Sequence, residues 1–193
     1  MLRRLYDWTM ALAADRHAEK ALAGVAFAES SFFPIPPDLL LIPMVLAERQ
    51  KALRYAAVCT IASVIGGIAG YLIGAFLFNE LARPILDVYG FAEKFDAFAG
   101  WYNDWGAWIV FTAGLTPFPY KVITIASGAT GLDFLIFIVA SIASRGLRFF
   151  VEAGLLYWIG PPIRAFIEKR LGLVFAVFMA CLIGGFVAIR YVL

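Results

Sequence analysis

Between Tyr55 and Asn79 the chain runs for 25 residues without one charged side chain, and no other feature constrains its fold as strongly. A hydrocarbon core is crossed by about 20 residues of α-helix, and inside it every backbone N–H and C=O must be satisfied within the spanning segment. The run therefore reads as a transmembrane helix over residues 55–79. Composition agrees: 63% of the 193 residues are hydrophobic and 16% charged, against about 25% charged in a soluble domain, and the mean hydropathy is +0.85. The chain reads as an all-α integral membrane protein, one domain over residues 1–193 without a linker.

Within that first span Ala62, Gly66, Gly70 and Gly74 recur at every fourth position, a stripe that lets another backbone approach closely. The uncharged run Leu171–Ile189, ending before Arg190, predicts a span at 171–190. Residues 134–159 are also long enough to cross, with Arg145, Arg148 and Glu152 as a polar stripe. At the start of the chain, Asp7, Asp15, Arg16, Glu19 and Lys20 leave no clean apolar core for a signal peptide. Leu2, Leu5, Trp8, Thr9, Leu12 and Ala13 instead recur at helical spacing opposite Arg3, Arg4 and Asp7, which predicts an interfacial amphipathic helix over 1–20. Cys59 and Cys181 fall in apolar runs and read as packing groups, His17 as solvated surface, and Trp101, Tyr102, Trp105 and Trp108 as interfacial anchors. With a net charge of +2 and no block of either sign, nucleic acid is not an expected partner.

Two apolar segments are broken. Residues 21–47 contain Glu29, Pro34, Pro36, Pro37, Asp38 and Pro43, and residues 105–130 contain Thr116-Pro117-Phe118-Pro119-Tyr120-Lys121. Proline removes a backbone donor and clashes with the preceding turn, so each segment splits into half-helices of about 10–14 residues, a length that suggests a re-entrant element. Six of the nine prolines lie in these segments, the two Pro-x-Pro pairs are 83 residues apart, and a long span follows each. The pattern is a weak repeat of hairpin plus helix, the arrangement in which transporter sites lie between halves.

If both hairpins return to the side they entered, ten basic residues (Arg3, Arg4, Arg16, Lys20, Arg49, Lys51, Arg54, Arg164, Lys169 and Arg170) face one side. Only Arg83, Lys94 and Arg190 face the other. The positive-inside rule then predicts a multi-pass protein of the cytoplasmic (inner) membrane with its N-terminus in the cytoplasm.

Six ionisable residues fall within the apolar segments: Glu29, Asp38, Lys121, Arg145, Arg148 and Glu152. Charges at such depth are costly and face a bundle interior or a wet cavity. Two readings account for them: internal pairing of three bases with three acids, or a substrate or ion pathway. Ser141, Arg145, Arg148 and Glu152 share one helix face, so Arg148 and Glu152 are close enough to pair, while Arg145 is left to meet Glu29, Asp38 or an anion. Asp38 follows Pro36-Pro37, where an acid also suits a helix N-terminus. Glu29 has no such local role and is the candidate proton-exchanging carboxyl. Lys121, directly after the breaking prolines, suits an anionic oxygen.

The stretches Glu29-Ser-Ser-Phe-Phe-Pro34-Ile-Pro36-Pro37-Asp38, Leu115-Thr-Pro117-Phe-Pro119-Tyr120-Lys121 with Ile125-Ala-Ser-Gly128, and Ser144-Arg145-Gly-Leu-Arg148-Phe-Phe, in that order, resemble the DedA family in its YqaA-like subgroup. The resemblance covers about residues 20–160. It implies two opposed re-entrant hairpins packed among about three transmembrane helices as an inverted pseudo-repeat, in a superfamily shared with eukaryotic lipid scramblases. Bacterial members are implicated in returning undecaprenyl phosphate across the membrane, in proton-dependent membrane homeostasis, or in resistance to cationic agents. Glu29 and Asp38 match the family's acidic pair, spaced here more closely, and Lys121 stands where other members place an essential arginine. A second arginine of that hairpin is missing, its approximate position being Gly114, and Arg145 and Arg148 are the residues available to replace its charge.

The expected function is a proton-linked lipid flippase or scramblase for a phosphate-bearing lipid such as undecaprenyl phosphate or a phospholipid. Lys121, Arg145 and Arg148 would meet the phosphate, Glu29 and Asp38 would couple movement to protons, and Pro34, Pro36, Pro117, Pro119, Tyr120 and Glu152 would support the site. Membrane lipids, and protons or another monovalent cation, are the expected partners; no metal or cofactor is expected. The alternatives are a proton-coupled small-ion antiporter and a membrane scaffold, the latter using the Gly66–Gly74 stripe to pair subunits in a homo-oligomer. With one histidine, no His-Glu-x-x-His and no Gly-x-Ser-x-Gly, a hydrolase built on zinc or a serine elbow is disfavoured.

Overall fold

The computed structural model describes residues 17–33, 36–116 and 118–169, with the backbone alone over 160–169. The span expected at 171–190, most of the amphipathic helix expected over 1–20, Cys181, Pro34 and Pro117 lie outside the described residues. Among those residues every regular element is a helix. They run α1 (Ala18–Ser31), α2 (Asp38–Ala47), a 3-10 turn (Arg49–Lys51), α3 (Ala52–Leu77), a π-helical turn (Phe78–Ala82), α4 (Arg83–Tyr89), α5 (Ala92–Leu115), α6 (Tyr120–Ala129) and α7 (Phe134–Lys169). Among the described residues two stretches are long and apolar enough to cross a membrane, the continuous Arg49–Tyr89 and Phe134–Ile159.

The breaks fall at the prolines, as donor loss requires. After Ser31 the amides of Phe32 and Phe33 both bond back to the Ala28 carbonyl, and α2 restarts on the Pro37 carbonyl, which accepts from Leu40 and Leu41. The second break occupies Thr116–Pro119, between α5 and α6. Limbs α1, α2 and α6 have 14, 10 and 10 residues, the length of half-helices, although α1 begins at Ala18 rather than at 21.

Two expectations are corrected. α5 is not a half-helix starting near 105, because it runs for 24 residues from Ala92. The charged stretch before Trp105 contains no breaker and places Glu93, Asp96 and Asp104 outward, so the helix begins as soon as Gly90, at φ 69°, has ended α4. The stretch around 80–89 is likewise helical: a π turn carries the backbone past Asn79, and Pro84 sits in the first turn of α4, where its missing N–H costs little. Tyr102 is not an interfacial anchor. It lies on the buried face of α5 with Gly106 and Val110 and bonds the Ser127 hydroxyl at 3.0 Å, whereas Trp101, Trp105 and Trp108 are exposed.

At the centre α3 takes α1 against one part of its surface and α6 against another, and it also packs on α7. α7 in turn packs on α5 and α2. The small-residue stripe makes the first contacts possible. A Cβ at Gly66 would strike the Phe27 backbone, one at Gly70 the Thr124 hydroxyl, and one at Gly74 the Ile125 backbone; from the other side, Gly128 lies against the backbone of Tyr71. The stripe that the scaffold reading reserved for pairing subunits is therefore covered by α1 and α6 of the same chain. Buried Cys59 belongs to the apolar core with Tyr55, Ala56, Leu22, Leu41 and Phe149.

Overpacking a close helix contact costs about 1–3 kcal/mol, and replacing an unhindered helical glycine by alanine gains about 0.5–1 kcal/mol. Gly74→Ala should therefore lower the thermal unfolding temperature in detergent, while Gly100→Ala, with nothing near its added methyl, should hold or raise it. Equal behaviour of the two variants would show that α3 and α6 do not meet as described.

Candidate functional site

The first broken segment delivers two acids to α7, Glu29 and Asp38, and the second delivers the Thr116 carbonyl and the Tyr120 side chain. At 1.5 Å rise per residue, Ser141, Arg145, Arg148 and Glu152 form a file about 16 Å long on one face of that helix, with Ser141 and Arg145 buried and Arg148 and Glu152 half-buried.

Arg145 is the most enclosed of the six ionisable groups, 1% exposed. Its Nη2 donates to Glu29 Oε2 at 2.6 Å and its Nε to Ser63 Oγ at 2.7 Å. The Tyr120 and Phe149 rings lie over the guanidinium, with centroids 4.9 and 4.7 Å from Cζ, so aromatic faces supply favourable charge where water would otherwise be needed. Ser30 extends the network. Its Oγ is 2.6 Å from Ser63 Oγ and 3.1 Å from Glu29 Oε2, and its carbonyl accepts from Thr124 Oγ1 at 3.0 Å. A last hydroxyl pair, Tyr120 donating to Ser141 at 2.5 Å, joins α6 to α7. The residues left open to Arg145 by sequence were Glu29, Asp38 or an anion; Glu29 is its partner.

The second arginine behaves differently. Arg148 does not pair with Glu152, its neighbour one turn along α7. Its Nη2 donates to Asp38 Oδ2 at 2.6 Å and its Nη1 to the Thr116 carbonyl at 3.0 Å. The reason is chain economy at the breaks: Asp38 opens α2, and Thr116 has a carbonyl freed at the end of α5, so one guanidinium fork can satisfy both. Arg148 thus ties the two breaks together, and its side chain and that of Asp38 stay 20% and 23% exposed. Asp38 is no hydrogen-bonding cap for α2, since Oδ2 is committed to Arg148 and buried Oδ1 has no donor.

Lys121 lies in the first turn of α6, half-buried, and among the described residues its ammonium has no ion-pair partner. Pro36 and Pro119 flank α2 and α6, with Pro119 at the N-cap of α6. Ser30, Ser63, Thr116 and Thr124 were not singled out from sequence. Small hydroxyls in apolar helices read as packing residues, and only the tertiary partners mark them as polar contacts.

Gly114, the approximate position of the missing second arginine, is buried where α5 meets α7. A Cβ there would strike the Ser144 Oγ and lie 2.7 Å from its Cβ. No larger side chain fits while α5 and α7 pack as they do.

The chain matches the VTT domain over residues 35–158. It is 38% identical over 170 residues to an uncharacterized protein of Haemophilus influenzae, covering 88% of each chain. An uncharacterized protein of Histophilus somni is 36% identical over 167 residues, 86% of this chain and 87% of the other. One from Methanocaldococcus jannaschii is 27% identical over 124 residues, 64% and 74% of the two chains. No solved structure matches.

If Gly114 is glycine because Ser144 occupies its space, then Gly114→Ala should destabilise the protein by about 1–3 kcal/mol, and adding Ser144→Gly should restore most of that loss. Thermal unfolding in micelles reads both; a double variant no more stable than Gly114→Ala would contradict the contact.

Proposed function

Because this chain belongs to the VTT-domain (DedA) family, a membrane transporter-type family, we propose that it moves a phosphate-bearing lipid across the membrane, with undecaprenyl phosphate and phospholipids as candidate substrates. The observation that carries this reading is the position of Arg148. One partly exposed guanidinium holds both proline breaks, at Asp38 and at the Thr116 carbonyl, and Lys121 lies just beyond the second break with no carboxylate partner among the described residues. A lipid phosphate entering there meets two cations, for which an arginine fork and a lysine are suited, and can compete with Asp38 for Arg148. The acyl chains stay in the bilayer.

In this reading the two broken segments are opposed re-entrant hairpins, related as halves of an inverted repeat. Its support is reciprocal packing: α3 receives α1 of its own half and α6 of the other, and α7 receives α5 of its own half and α2 of the other. The orientation follows the basic loops, with the N-terminus cytoplasmic in the inner membrane. Arg145 and Glu29 do not contact substrate here. They are occupied by each other, and they hold α1 against α7. No catalytic chemistry is proposed.

Lipid translocation in proteoliposomes tests the reading, with undecaprenyl phosphate and fluorescent phospholipids compared in the presence and absence of a pH gradient. Arg148→Ala and Lys121→Ala, checked for insertion and folding, should slow translocation by at least about tenfold, the loss of one charged contact of about 1.4 kcal/mol or more. Variants as fast as wild type would sink the phosphate site. No movement of any lipid by folded protein, together with proton flux in vesicles lacking phosphate lipids, would replace this reading by an ion antiporter.

A further inference from the structure

Around the two arginines the charges do not balance. Glu29 matches Arg145, and Asp38 matches Arg148. Glu152 remains, half-buried on α7 one turn beyond Arg148 and on the same helix face that meets Asp38. The charged and titratable groups that face it are Asp38 from α2, Cys59 from α3, and Arg148 and Arg145 from α7 itself. Three carboxyls thus share two guanidiniums.

The geometry at Asp38 shows how the surplus is resolved. Oδ2 accepts from Arg148, whereas Oδ1 is buried and has no donor among the described residues. Two ionised carboxylates are acceptors only. Brought together away from water they repel, and Oδ1 stays unsatisfied at the cost of a buried polar group. One proton placed between the two carboxyls removes the repulsion, supplies the missing donor and leaves the cluster neutral. Such a proton belongs to the pair rather than to either residue.

We propose that Asp38 and Glu152 hold a single proton between them, making Glu152 the proton-carrying partner of the Arg148 link between the two broken segments. The proposal rests on the transport reading above for its purpose, but not for its physics. Glu29 is excluded from the role, since a proton there would leave the fully enclosed Arg145 without its carboxylate. When the pair loses its proton, Asp38 and Glu152 repel. Arg148, one helical turn from Glu152, then has a second carboxylate to turn to, and its hold on Asp38 and on Thr116 weakens. The proton shared by Asp38 and Glu152 therefore decides whether α2 and the end of α5 are tied together.

Infrared spectroscopy of the full-length protein in lipid nanodiscs tests this without any transport. Wild type at neutral pH should show a protonated-carboxyl stretch that shifts in heavy water and disappears as pH is raised, and Glu152→Gln should lack it. If Glu152→Gln does not fold, Asp38→Asn takes its place, and the band should vanish or move. Absence of the band from wild type, or its persistence unchanged in these variants, overturns the proposal. A band lost in Glu152→Gln alongside a negative translocation assay leaves the shared proton standing and removes only the transport reading.

Discussion

A guanidinium that no solvent reaches is the constraint on which this molecule is arranged. Arg145 is enclosed by α1, α3, α6 and its own helix, and its charge survives there because each neighbour gives it something: a carboxylate from Glu29, a hydroxyl from Ser63, and two aromatic faces from Tyr120 and Phe149. Removing one member of a buried pair leaves the other charge uncompensated, at about 3–5 kcal/mol. That energy ties α1 to α7 across the body of α3. It also explains why α3 is lined with glycine where α1 and α6 approach: the polar contacts at Ser30, Ser63 and Thr124 form only if the helix backbones come close.

One turn further along α7 the same residue type does something else. Arg148 keeps some exposure, and its partners belong to segments that the prolines have broken. An ion pair with access to water is weaker and more easily exchanged than an enclosed one. The two arginines thus divide structure from adjustability: Arg145 with Glu29 is a fixed strut, and Arg148 with Asp38, Glu152 and Thr116 is a junction whose partners can change. A family of membrane transporters needs both, since a site must hold its shape while one part of the chain shifts against another.

Much of this was legible in the sequence because it depends on local rules. The charge-free run 55–79 lies within α3 apart from its last residues, the breaks fall at Pro34–Pro37 and Pro117–Pro119 or directly beside them, and Ser141, Arg145, Arg148 and Glu152 share a face. What failed depended on distant partners. Arg148 and Glu152 are spaced to pair on a helix, but Asp38, 110 residues away, offers a tighter contact. The half-helix expected from 105 begins at Ala92, because no proline stands between 92 and 104 to stop it, and Tyr102 is buried because α6 presents Ser127 to it. That a glycine stands at 114, where the family motif elsewhere carries an arginine, was plain from the sequence, and the packing against Ser144 adds its physical reason.

The most direct test of the Arg145 strut is a double-variant cycle on thermal unfolding in detergent micelles, using Glu29→Leu, Arg145→Met and the two together. If the pair is mutually dependent, each single variant is destabilised by about 3–5 kcal/mol, while the double variant, which leaves no buried charge behind, recovers most of that loss. Single effects that simply add in the double variant would contradict the account, because the two side chains would then be held in place by something other than each other.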